Sequence, residues 1–173
     1  MRDLASLRAP TQPDTPRADR TLEHAYVQGA ALYARSALLC QIGLFDEAYH
    51  TFYEEVDLCR RARLAGWRVA LLTDLGIGHH GGGSTTRSSY RRRQMMRNKY
   101  YYLATDIEIP PRAGIRIGVA WLARDLRGRG TGGRSSVPVA VAETLASIWW
   151  LTRQVGAMAR RRREYRTLLA GTR

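Results

Sequence analysis

The stretch from Glu54 to Leu72 constrains this chain most. Three acids, Glu54, Glu55 and Asp57, fall within one turn at its start, and Val56, Cys59 and Ala62 follow at helical spacing. The pattern predicts a helix from Glu54–Asp57 to Ala65, with Arg60, Arg61 and Arg63 on its wet side. Gly66 supplies the left-handed stop. Trp67-Arg68-Val69-Ala70-Leu71-Leu72 then reads as a strand whose only charge is Arg68.

The same punctuation organises the rest. Residues 1–22 hold three prolines and many charges and read as an extended lead-in. Gly29–Tyr33 is a short apolar run of β character. Ser36 is a candidate N-cap for a helix through Ile42, which Gly43 stops. Tyr90–Leu103 reads as a basic, aromatic helix broken off by Pro110-Pro111. Ile115–Leu126 reads as an amphipathic helix, Gly128–Gly133 as a linker, and Val137–Arg163 as one longer helix. No internal repeat is visible.

With 173 residues, 45% of them hydrophobic, the chain suits one domain, or a small domain with an appendage, and can pack a core. Its net charge is +13, nearly all from arginine, which points to an anionic partner. Cys40 and Cys59 both sit in apolar helical patterns and read as buried free thiols, in keeping with a reducing compartment. The first twenty residues carry no secretory pattern. No stretch reaches the roughly 20 apolar residues of a spanning helix, since Val137–Ala159 is interrupted by Glu143 and Arg153.

Three constellations can carry chemistry, each with a plainer reading beside it. The acids at Glu54–Asp57 complement a helix dipole by roughly 0.3–1 kcal/mol each, or one of them projects into a cleft as a general base. His79-His80-Gly81-Gly82-Gly83-Ser84 is an ordinary glycine-rich turn, or a strand-end histidine with backbone amides that approach an anion or metal. The helix bearing Arg87, Arg91–Arg93, Arg97 and Lys99 among Tyr90 and Tyr100–Tyr102 is a solvated cationic face, or a surface for phosphate. Gly128–Gly133 has the wrong spacing for a dinucleotide loop, and no strand precedes it.

Order and spacing join these pieces. Tyr26-Val27-Gln28-Gly29-Ala30-Ala31, Arg35, Ile42–Glu47, Tyr53–Arg61, Ala65-Gly66-Trp67, His79–Ser84 and Arg97–Tyr100 together resemble the second, acceptor-binding half of a family-2 inverting glycosyltransferase, in its rhamnosyltransferase-like branch. The resemblance covers a little under half of the chain. It implies an α/β fold, a partial GT-A domain over 23–106, followed by a basic amphipathic helical tail over 107–173. By position it implies that Glu55 is the catalytic base, although aspartate is commoner there, with Glu54 as the alternative. It further implies that Gly29, Ala30, Asp46 and Asp57 line the acceptor and donor-sugar site, that His79 helps hold a divalent metal (Mg2+ or Mn2+), and that Gly82, Ser84 and Arg97 meet phosphate.

The family's nucleotide-binding half, with its metal-holding Asp-x-Asp, has no counterpart here. The 25 residues before Tyr26 are fewer than the 30 or more a βαβ unit takes. The expectation is therefore a fragment or split enzyme that transfers sugar from a nucleotide-sugar donor to a lipid-linked or cell-envelope glycan only with a complementary N-terminal half. The alternative is a non-catalytic glycan- or membrane-binding module. A nucleic-acid binder is disfavoured, because no such motif is present. In the tail, Glu143, Ser147 and Gln154 fall on one side of a helix, so the segment is expected to lie flat on an anionic membrane with its polar side to water. The implied location is cytoplasmic, peripheral at the inner face of the cell membrane.

Overall fold

The structure, a computed structural model, describes residues 21–73, 75–79, 88–128 and 135–172. Strand β1 (Thr21–Glu23) pairs antiparallel with β2 (Ala70–Leu72), Leu22 opposite Leu71. Between them lie a 3-10 turn at Gly29–Ala31, helix α1 (Ser36–Ile42) and helix α2 (Glu54–Leu64). Four helices follow: α3 (Ser88–Thr105), α4 (Pro111–Leu126), α5 (Val137–Arg153) and α6 (Val155–Ala170).

Glycines end the first two helices as expected. Gly43 and Gly66 take φ of 76° and 79°, which L-residues rarely adopt. The strand read over Trp67–Leu72 is shorter, because its partner β1 is only three residues long. The apolar run at Gly29–Tyr33 finds no partner strand; it turns as a 3-10 segment and leaves Tyr33 fully exposed. Ser36 begins α1 but does not cap it; Arg35 holds that position. Pro111 opens α4 at the first turn, where its missing N–H costs nothing.

The largest correction concerns Arg60 and Arg61, which are 0% and 2% exposed rather than wet. Asp57, itself fully buried, explains both. One of its oxygens accepts from Arg60 Nη2 at 2.7 Å and the other from Arg61 Nε at 2.9 Å. Arg61 then donates to the carbonyls of Ile42 and Leu44, both at 2.7 Å, satisfying the open C-terminus of α1. Arg60 donates to the Tyr102 carbonyl at 2.9 Å and to Thr105 Oγ1 at 2.8 Å, and its guanidinium lies 3.9 Å over the Tyr102 ring.

The segment after residue 107 is not a separate appendage. Helix α6 packs on α2 and α3, and α5 packs on α3. Tyr165 of α6 is fully buried and donates its hydroxyl to Asp57. The single helix expected over Val137–Arg163 is two, turning at Gln154 (φ −94°, ψ 2°). That turn brings α6 back so that Met158 meets the cluster of Tyr49, Tyr101 and Tyr102. No described helix is long and apolar enough to cross a membrane.

Candidate functional site

The loop before α2 decides where its acids point. His50, Phe52 and Tyr53 all have left-handed backbone, with φ of 58°, 65° and 75°. For residues with large side chains this costs roughly 1–3 kcal/mol each, and such strain persists only where surroundings over-determine it. The restraint is Asn98 of α3, fully buried, whose Nδ2 lies 2.8 Å from the Tyr49 carbonyl and 2.7 Å from those of Thr51 and Phe52. One amide thus holds three turns of strained backbone.

The loop delivers Glu54 and Glu55 to an open cleft of about 640 Å3, lined also by Gly29, Phe45, Asp46, Glu47 and His50. That volume lies within the roughly 300–1,000 Å3 typical of small-ligand sites. Glu54 Oε2 and Glu55 Oε2 are buried without a hydrogen-bond partner among the described residues. Burial raises the Glu55 carboxyl above its ordinary value; its own and neighbouring backbone amides oppose this, and the Glu54 charge adds to it. Burial, and then the Glu55 charge, raise the Tyr26 phenol as well.

Gly29 lies against Glu55. A Cβ there would sit 3.6 Å from Glu55 Cβ and 3.9 Å from its carboxyl carbon, so any larger side chain would cover the carboxylate. Asp46 joins the same cleft, but its oxygens are engaged. It accepts from Arg161 Nε at 2.8 Å, Ala48 N at 3.0 Å and Tyr101 Oη at 3.3 Å, and so ties the cleft wall to α6. A second cavity of about 290 Å3, between Asp46 and Arg160, adjoins it through that aspartate.

The structure therefore brings together Gly29, Asp46, Glu54 and Glu55, with Ala30 exposed in the same 3-10 turn as Gly29. It does not bring Asp57, whose oxygens are spent on Arg60, Arg61 and Tyr165 and which is closed to a sugar. The two arginines outweigh its burial and hold its carboxyl below the usual range. Arg97 is drawn to α5, its guanidinium 4.5 Å over the Trp150 ring, and lines neither cavity. His79 is exposed and also lines neither. Gly82 and Ser84 lie outside the described residues.

Sequence reading missed His50, which lines the cleft, and Asn98 as the clamp. A buried-facing asparagine within a helix of tyrosines was the available signal for Asn98. Nothing in the sequence marks His50 as left-handed. Of the two cysteines, Cys59 is buried and its thiol is pushed up by that burial, whereas Cys40 is exposed, contrary to expectation.

Among the described residues no three His, Cys, Asp or Glu side chains are grouped to hold a metal ion. The described residues do not by themselves form a site for the Mg2+ or Mn2+ that the resemblance implies. Compared with known proteins, the chain matches no family model, no curated protein and no solved structure.

Proposed function

We propose that the cleft is the acceptor site of an inverting glycosyltransferase of the family-2, GT-A kind, and that Glu55 is its general base. The observation that carries this is a pair of adjacent carboxylates, each with a buried unpartnered oxygen, held at a cleft by a strained and clamped loop. The order of motifs from Tyr26 to Tyr100 supports it independently.

In this reading the acceptor, a lipid-linked or cell-envelope glycan, enters over Gly29 and Ala30. Its hydroxyl donates to Glu55, whose raised proton affinity suits it to take that proton as the oxygen bonds to the sugar's anomeric carbon and the bond to the departing nucleoside diphosphate breaks on the opposite face. The neighbouring Glu54 carboxylate favours the protonated product state of Glu55. Asp46, pinned by Arg161, fixes the cleft wall. The nucleotide-sugar would be held by a complementary half, which would also supply the donors for a divalent metal, with His79 as this chain's contribution.

The test is sugar transfer from a panel of nucleoside-diphosphate sugars by this chain together with a nucleotide-binding half. The 173-residue chain alone is expected to transfer none. In the combined enzyme, Glu55→Gln is expected to lower turnover by roughly 10²-fold or more with the melting temperature retained. Near wild-type turnover in Glu55→Gln and loss in Glu54→Gln would move the base by one residue. Saccharide binding that never leads to transfer would return the chain to a non-catalytic module.

A further inference from the structure

Helix α5 is built inside out. Ala140, Glu143, Thr144 and Ser147 face inward and are buried. Their polar groups are satisfied there: Thr144 Oγ1 donates to the Ala140 carbonyl at 2.7 Å, Ser147 Oγ to the Glu143 carbonyl at 2.8 Å, and Arg92 of α3 reaches Glu143 at 3.2 Å. The stripe expected to face water is thus used against α3. The outward face is apolar: Leu145, Ile148 and Trp149 are 62%, 45% and 58% exposed.

Charge identifies what such a face meets. The Arg153 guanidinium stacks 3.9 Å over the exposed Trp149 ring at the end of this face. Arg163 and Arg166 are exposed on α6. Helix α4, packed on α5, repeats the pairing, with exposed Ile115 and Val119 beside exposed Arg112 and Arg116. The acids of α4, α5 and α6 are all paired among the described residues. Asp125 and Glu143 are buried in ion pairs with Lys99 and Arg92, and the exposed Glu164 is bound to Arg161 at 2.8 Å. An apolar helix face rimmed by arginine alone fits the boundary between headgroups and acyl chains of an anionic bilayer, where tryptophan rings sit and cations meet phosphate. A second copy fits poorly, since the same arginines and a charge of +13 would face each other.

We propose that the outward face of α5 docks this chain in the interface plane of an anionic lipid membrane, with Leu145, Ile148 and Trp149 inserted and Arg153 at the phosphates. Docking of this face requires neither Glu55 nor the cleft. Failure of vesicle binding leaves sugar transfer standing, and loss of transfer in Glu55→Gln leaves docking standing.

The experiment is flotation of the full chain with phosphatidylglycerol-rich vesicles, against phosphatidylcholine vesicles and in rising salt. The wild type is expected to bind the anionic vesicles, to weaken in salt, and to have its tryptophan emission quenched by brominated acyl chains. Replacing Leu145→Asp and Ile148→Asp together is expected to lower partitioning about tenfold or more. Arg153→Gln is expected to lower it roughly fivefold. Should the aspartate pair melt early, Leu145→Ser with Trp149→Ser at the wild-type melting temperature carries the same expectation. No binding by the wild type, or equal binding by the apolar-face variants, overturns the proposal. So does a wild-type oligomer that binds no vesicles and that the aspartate pair splits, which would assign the face to a second copy.

Discussion

Replacing Asp57 by alanine tests the core and the site together. Asp57 is fully buried and carries the only carboxylate shared by Arg60 and Arg61 among the described residues. Removing one partner of a buried ion pair costs about 3–5 kcal/mol, because the remaining charge is left uncompensated. Here two guanidiniums are left, which argues for the upper end. Both keep carbonyl acceptors, Tyr102 for Arg60 and Ile42 and Leu44 for Arg61, and Arg60 keeps the Asp106 carboxylate at 3.7 Å, which pulls the cost down. A loss of about 3 kcal/mol is the balance, with a fall in melting temperature of roughly 6–12 °C for a domain of this size. A domain holds only about 5–15 kcal/mol in total, so the variant sits near the edge of folding. Urea unfolding followed by far-ultraviolet circular dichroism measures it at neutral pH, with the slope expected unchanged. A loss below about 1 kcal/mol would refute the reasoning and reopen Asp57 as a ligand-binding residue. The pH dependence gives a second reading. The arginines hold the Asp57 carboxyl below its ordinary value, so its contribution is full above about pH 4 and is lost as pH falls toward the lowered folded value.

Three other outcomes are expected. Asn98→Ala leaves the carbonyls of Tyr49, Thr51 and Phe52 without their shared donor, should cost roughly 1–3 kcal/mol, and should speed amide hydrogen exchange across 49–54 before the rest of the chain. Glu55, whose folded proton affinity is raised, takes stability away as pH climbs from about 4.3 through that raised value; Glu55→Gln should therefore melt no lower than wild type at neutral pH, and a clear destabilisation would contradict the cleft geometry. Thiol reagents should label Cys40 at once and Cys59 only on unfolding, which mass spectrometry of the peptides resolves.

The helix at Glu54–Leu64, the stops at Gly43 and Gly66, and the basic helix α3 were legible because local chemistry decides them. Three acids favour a helix start, glycine accepts positive φ, and neither depends on distant residues. The cleft was legible in part. The adjacency of Glu54 and Glu55 is plain in the sequence and the resemblance implied Gly29 for the same site, whereas the left-handed backbone at His50, Phe52 and Tyr53 was not legible. Large side chains seldom take that backbone, and Asn98, some 45 positions later, helps hold it.

The direction in which each helix faces was not legible, and α2 and α5 fail for the same reason. Periodicity says which residues share a face; it leaves open which face is covered. On α2, Arg60 and Arg61 lie with Asp57, and a charged trio becomes interior once Tyr165 returns from α6 to close it. On α5, Glu143, Thr144 and Ser147 form a polar stripe that looks made for water. It turns inward because Arg92 meets the one charge and the helix's own carbonyls accept the two hydroxyls, so burying it leaves nothing unpaired. The apolar side is then left outside by elimination. Burying Arg60 and Arg61 does not invert the hydrophobic effect, because Asp57 pairs both charges, and the exposed Leu145, Ile148 and Trp149 are the apolar area that the proposed membrane docking would cover.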